Sequence, residues 1–169
     1  MRPASTSPEM TLALRQQLIG RLRRHADDVR RITDGLGDAA LHQRIEPEQW
    51  SLAELVCHIL RVQDLFESRI DAMLQREEPA FESYAPEGDA GFVDFVASHR
   101  GRKAVEGFVT ERDRFAGRLD ALAPGEWRRR GRHPTFATFD VDFLVEYMLH
   151  HEAHHLYQMF IRRIRVAVV

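Results

Sequence analysis

Apolar positions along this chain recur at helical spacing. Leu14, Leu18, Leu22, Val29 and Ile32 fall near one face of a helix predicted from Ser7 to Thr33. Ser7-Pro8-Glu9 offers a capping residue followed by a proline at the first helical position, and Asp34-Gly35 ends the segment. A second helix is predicted from Ser51 to about Gln75. Its start is the capping box Ser51-Leu52-Ala53-Glu54, with Trp50 in place to staple onto Leu55. A third is predicted over Phe92 to Leu122, where Phe108, Phe115, Leu119 and Leu122 form a stripe that Gly101 and Gly107 weaken. A fourth starts near Thr138 or Asp140 and runs to about Arg163. Breaker-rich loops separate them: residues 76 to 91, with Pro79, Pro86, Gly88 and Gly91, and a stretch with Pro124, Gly125, Gly131 and Pro134. The tail Val166 to Val169 reads as a frayed end or a short strand. No alternating strand pattern occurs elsewhere. The expectation is an all-α, four-helix bundle in a single domain over residues 1–169, with 1–8 a frayed lead-in. The two long connections allow a topology other than simple up-down-up-down.

Composition narrows the function classes. The 169 residues carry a formal net charge of -2, with 24 Lys+Arg and 26 Asp+Glu interspersed. That balance argues against nucleic-acid and membrane-surface partners, which select a basic face. One local exception is Arg128-Arg129-Arg130 with Arg132, a loop cluster that reads as solvated or as a contact for an anionic ligand. The single cysteine, Cys57, excludes an intramolecular disulfide and points to a reducing, cytoplasmic setting. No run of about 18 apolar residues is present to span a membrane.

Four of the nine histidines fall in His150-His151-Glu152-Ala153-His154-His155. Leu144, Met148, His151, His155, Gln158 and Ile161 trace one seam of the fourth helix, so two imidazoles and an amide interrupt an apolar stripe. Burying them costs several kcal/mol unless they find partners. A metal ion is one such partner, because residues i and i+4 on a helix stand about 6 Å apart and can share an ion at about 2.0 to 2.1 Å from each nitrogen. His58 lies on the seam of the second helix with Leu55, Val62 and Leu65, and offers a third ligand from a facing element. Taken alone, His58 reads more readily as a satisfied core or boundary histidine than as a ligand, whereas His151 and His155 read equally as either. His25, His99 and His133 read as boundary or loop residues, with a place beside a ligand or substrate as the alternative. His151-Glu152-x-x-His155 also matches the HExxH pattern, in which the glutamate is a general base. Only 14 residues follow His155, none of them His, Asp or Glu, so the downstream third ligand of such enzymes is missing. Apart from that pattern, Glu152 is a candidate catalytic base or hydrogen-bond acceptor at the pocket edge. Cys57 beside His58 is expected to pack as a small hydrophobe, since adjacent helical positions diverge by about 100°.

Trp50-Ser51-x-x-Glu54-x-x-x-His58 and His151-x-x-x-His155-x-x-Gln158 resemble the second- and fourth-helix signatures of the DinB/YfiT-like superfamily. Gly35 to Leu41 and the approach His133-Pro134-x-Phe136 resemble its connecting segments, so the likeness runs from about residue 10 to 163. It implies a DinB-like, metal-binding bundle in which His58, His151 and His155 hold a divalent ion and waters complete the shell. Gln158 would make a hydrogen bond behind a ligand. The resemblance also implies a homodimer. Relatives of this kind include thiol S-transferases that use low-molecular-weight thiols and a thiol-dependent maleylpyruvate isomerase.

Three neutral imidazoles leave an ion its full charge and an open position, the layout of a catalytic site. Imidazole suits Zn, Ni, Co, Fe and Cu alike. Zinc heads the expectation, with nickel or iron behind it. The predicted function is a metal-dependent thiol S-transferase or related group-transfer enzyme acting on a small molecule. The alternatives are a non-catalytic, stress-related binding or dimerisation module stabilised by the metal, and a metal-dependent hydrolase. The Arg128 to Arg132 loop or residues 76 to 91 would supply a substrate lid.

Overall fold

Helix α1 spans Pro8–Thr33 in the computed structural model, which describes residues 8–166. The proline stands at the first helical position, as its fixed φ favours; the Ser7 cap expected before it lies outside the described residues. Leu18, Leu22, Val29 and Ile32 are buried, whereas Leu14 is exposed. Helix α3 (Leu52–Gln75) begins behind its capping box and is buried on most of its surface. Helix α6 (Val141–Val166) starts where Asp140 Oδ1 accepts the Phe143 backbone N–H at 2.9 Å, and runs three residues past the expected end. The remainder of the tail, residues 167–169, lies outside the described residues.

Two expectations are corrected. The predicted third helix is two helices, α4 (Phe92–Ser98) and α5 (Arg102–Asp120), and a short helix α2 (Asp38–His42) fills part of the first connection. The break falls at Gly101, whose φ of +52° is a conformation that side chains strain to adopt. A Cβ there would also stand 2.0 Å from Asp38 Oδ1. The two corrections share a cause. Helix α2 delivers Asp38 and His42 to the start of α5, where Asp38 Oδ1 accepts from the Arg102 N–H at 3.1 Å and His42 Nε2 from the Gly101 N–H at 2.8 Å. These side chains satisfy backbone donors that a new helix start leaves without partners.

The four long helices form a bundle with an unusual connection order. Helix α1 packs on α5 and α6, and α3 packs on the same two, so consecutive helices α1 and α3 lie on a diagonal. Pairings fix the directions. Arg15 meets Asp142 and His25 meets Glu152, so α1 and α6 run parallel. Gln63 and Glu67 meet Arg112 and Arg114, so α3 and α5 also run parallel. The order is up-down-down-up. A parallel α3–α5 pair obliges residues 76–101 to return along the bundle, and that return wraps the flank of α3 and α6.

A buried polar layer divides the core. Arg112 is fully buried; its guanidinium donates to Glu152 Oε2 at 2.9 Å, to Gln63 Oε1 at 2.8 Å and to the Leu22 carbonyl at 3.2 Å. His25 Nδ1 lies 2.9 Å from the same Glu152 carboxylate. One arginine thereby joins α1, α3, α5 and α6. Apolar clusters lie on either side, one around Phe66, Phe115 and Leu144, the other around Leu55, Ile59 and Phe108. Among the described residues no helix is long and apolar enough to cross a membrane.

Candidate metal centre

The capping box sets where α3 begins. Ser51 Oγ accepts the Glu54 N–H at 3.2 Å, and the Ser51 N–H donates to Glu54 Oε2 at 2.8 Å. Arg44 Nε donates to that carboxylate at 2.9 Å. Burial pushes the Glu54 carboxyl upward, but the Arg44 and Ser51 contacts outweigh it and hold the group below its usual range. One helical turn on, His58 projects into the bundle. Trp50, just before the cap, lays its ring 4.8 Å from the His58 ring and 5.2 Å from that of Phe92.

The structure brings His58, His151 and His155 together. His151 Nε2 lies 3.3 Å from His58 Nε2 and 3.1 Å from His155 Nε2, and the three candidate donor atoms are all within 4.8 Å of one another. Two ligands at 2.0–2.1 Å from one ion stand about 3.3 Å apart in a tetrahedral shell and about 2.9 Å apart at a right angle. The two spacings from His151 fall in that window. Burial, then the neighbouring imidazoles, lowers His58 to about 3. Burial lowers His155 to about 4, against a contrary pull from Gln158, and also lowers His151. All three are neutral near pH 7, the state a metal requires. Gln158 Oε1 accepts from His155 Nδ1 at 3.0 Å while its amide nitrogen donates to His154 Nε2 at 3.0 Å. That network places the His155 proton on Nδ1 and leaves Nε2 as a bare lone pair aimed at the other two rings. Nδ1 of His58 and of His151 are buried without a hydrogen-bond partner among the described residues. A convergence of lone pairs in a buried setting is costly by itself and is what a cation would relieve. The residues fit a divalent ion.

The triad forms one end of a cavity of about 440 Å³. Val62, Phe66 and Arg69 line it along α3, Phe143 and Tyr147 along α6, and His133, Phe136 and Phe139 from the connection before α6. Ser83, Tyr84 and Pro86 of the 76–91 segment cover it. A shallower groove of about 620 Å³ touches only His155 of the three.

Other residues singled out in the sequence lie elsewhere. Glu152 does not line the cavity. The single-residue step from His151 turns it toward α1 and α5, where Arg112 and His25 take both carboxylate oxygens. Burial pushes this carboxyl up, and the opposing pull of Arg112 and His25 brings it below its usual range. A pocket-edge base is therefore not its placement. Cys57 is buried and turned toward α4, its Sγ 3.7 Å from the His99 carbonyl, with the thiol pushed up to about 12 by burial. His99 stacks on Phe95 at 4.1 Å, outside the cavity, whereas His133 stacks on Phe139 at 4.8 Å within its wall. Two members of the arginine loop are tied to the backbone. Arg129 donates to the carbonyls of Met73 and Arg76, both at 2.7 Å, and Arg132 to that of Glu78 at 3.2 Å, closing the end of α3. Arg69 and Arg112 lie within apolar seams that each interrupts: Arg69 follows Val62 and Phe66, and Arg112 stands between Phe108 and Phe115.

Known proteins share this fold. YfiT from Bacillus subtilis, described as a probable metal-dependent hydrolase with an unusual four-helix bundle topology, superposes with a TM-score of 0.75 at 16% identity, over 99% of this chain and 93% of that one. The likeness is one of fold. The uncharacterized protein YuaE of Bacillus subtilis (strain 168) is 25% identical over 74% of this chain and 84% of its own length. The sequence pattern of the DinB superfamily matches residues 21–159, a span that holds the whole histidine triad, Gln158 and the capped start of α3, and on that match the chain belongs to the DinB superfamily.

Proposed function

We propose that the protein is a metal-dependent group-transfer enzyme that joins a small thiol to an apolar electrophile, with one divalent ion held by His58, His151 and His155. The observation that carries this reading is the position of all three imidazoles in the wall of the aromatic cavity. A structural ion is enclosed by its ligands; a catalytic one keeps a side open to substrate. When bound, the ion would polarise an electrophile and acidify a thiol or water beside it. The chain's own residues do the rest. Phe66, Phe136, Phe139 and Tyr147 offer flat apolar surface and exclude water. Gln158 keeps His155 in the tautomer that presents Nε2. Zinc is the first candidate for the ion, with nickel or iron behind it.

Hydrolysis is the second reading, and the description of YfiT favours it. Against it, no Asp or Glu is among the described residues that line the cavity, and Glu152 is held by Arg112. The glutamate that would act as general base in an HExxH-type hydrolase is thus absent from the wall. The test uses protein purified without a metal-affinity tag, with metal content read by mass spectrometry. The same sample is assayed for turnover of 1-chloro-2,4-dinitrobenzene with a low-molecular-weight thiol. The expected result is about one ion per chain and thiol-dependent product, both lost in the His151→Ala/His155→Ala variant. Ester cleavage without thiol would move the protein to the hydrolases. No metal and no turnover after incubation with zinc or nickel would retire the enzymatic reading.

A further inference from the structure

Three arginines are buried among the described residues: Arg15, Arg69 and Arg112. Arg15 pairs with Asp142 and Arg112 with Glu152. Arg69 has no carboxylate partner among the described residues. It is 8% exposed, and its one hydrogen bond among the described residues runs from Nη2 to the Glu82 carbonyl at 2.6 Å. Its guanidinium carbon lies 5.9 Å from the Phe66 ring centre and 5.7 Å from those of Phe81 and Phe139. An arginine cannot discharge by losing its proton. A buried cation held by one carbonyl and three ring faces is therefore under-compensated.

The same side chain lines the cavity whose opposite end is the histidine triad. His58, Val62, Phe66 and Arg69 descend one face of α3, and about 16 Å of helix rise separates the first from the last. His133, in the wall nearby, is lowered by burial and then by the Arg69 charge, so it adds no second cation near pH 7. The cavity is thus a chamber with three neutral nitrogens at one end, aromatic walls, and a lone cation at the other.

We infer that Arg69 is the anion-recognising end of the substrate site, and that the substrate is an elongated, flat apolar molecule bearing one carboxylate remote from its reacting carbon. One guanidinium matches one carboxylate in charge and in its planar pair of acceptors. A dianionic phosphate would leave a negative charge stranded among phenyl rings. The inference rests on the cavity being the substrate chamber of the metal site, but its test is separable from that reading.

The probe is 3-phenylpropionate, with 3-phenylpropionamide as its uncharged counterpart, titrated calorimetrically into the metal-loaded protein. The acid should bind about 10- to 100-fold more tightly than the amide, the range of a charge-assisted pair. Arg69→Gln should erase that difference and leave amide binding unchanged. Arg69→Lys, which keeps the charge and loses the planar fork, should retain part of it. In the His151→Ala/His155→Ala variant the acid should still bind about 10- to 100-fold more tightly than the amide, since the carboxylate is held by Arg69 and not by the ion. Amide binding equal to acid binding in the unaltered protein overturns the inference without recourse to any variant. So does an acid preference that survives Arg69→Gln, or that disappears only with the histidines. Arg69-dependent binding in a protein found to hold no metal would retire the enzymatic reading while leaving this anion site in place.

Discussion

Asp89 shows how single contacts set the cover of the cavity. Its carboxylate pairs with Arg61, accepts from Tyr84 Oη at 3.3 Å and from the Gly91 N–H at 3.2 Å. The Arg61 guanidinium holds this carboxyl below its ordinary 3.8, burial opposing. A carboxyl depressed in the folded state stabilises fully above its unfolded value and loses that contribution as pH falls through the folded one. The 82–91 segment should therefore loosen as pH falls below about 4, before the α3 core does. Hydrogen exchange at pH 6 and pH 3 would measure this. Asp89→Asn should show at pH 6 the loss that acid causes in the parent, and unaltered protection in that variant would refute the tether. The histidine cluster was legible in the sequence because its members interrupt apolar seams and share a recognisable spacing. The fate of Glu152 was not, since adjacency along the chain says nothing of which helix it turns toward.

At the scale of elements, the boundaries of α3 were legible because its start carries a capping box. The division of α4 from α5 was not, because its cause is remote: Asp38 and His42 arrive from a helix some 60 residues earlier. Gly101 was visible only as a weak point. The polar layer joining four helices was equally hidden, because a seam search counts apolar positions and passes over the arginine between them. Removing one partner of a buried pair strands the other charge, at about 3–5 kcal/mol. Arg112→Met should lower unfolding free energy by about that amount in urea titrations. Arg112→Met combined with Glu152→Leu should recover much of the loss, because no charge is left behind. A single variant as stable as the parent would mean that the layer contributes nothing to the bundle.

On the whole molecule, the sequence permitted a departure from up-down-up-down without specifying it; two long connections are compatible with several orders. The outer surface adds a further expectation. Tyr157, Phe160 and Ile164 form an exposed apolar strip near the end of α6. Apolar side chains exposed side by side on one helix face offer a candidate interaction surface. The family resemblance implies a homodimer, and we propose that a second copy packs along this strip. Sedimentation should give a dimer that Phe160→Glu converts to a monomer with its metal retained. A monomeric parent at about 100 μM, well above a micromolar dissociation constant, would remove the proposal.

The two helices that meet at the histidines belong to opposite halves of the chain, His58 being separated from His151 by 93 positions. A nascent chain cannot assemble that site until the closing helix has been made and has docked antiparallel to α3, the kind of distant pairing that forms late. A divalent ion at that site would be captured only by a completed fold: a chain in which α6 is missing or undocked does not bring the three histidines together, so loading would be a check on the integrity of the whole bundle.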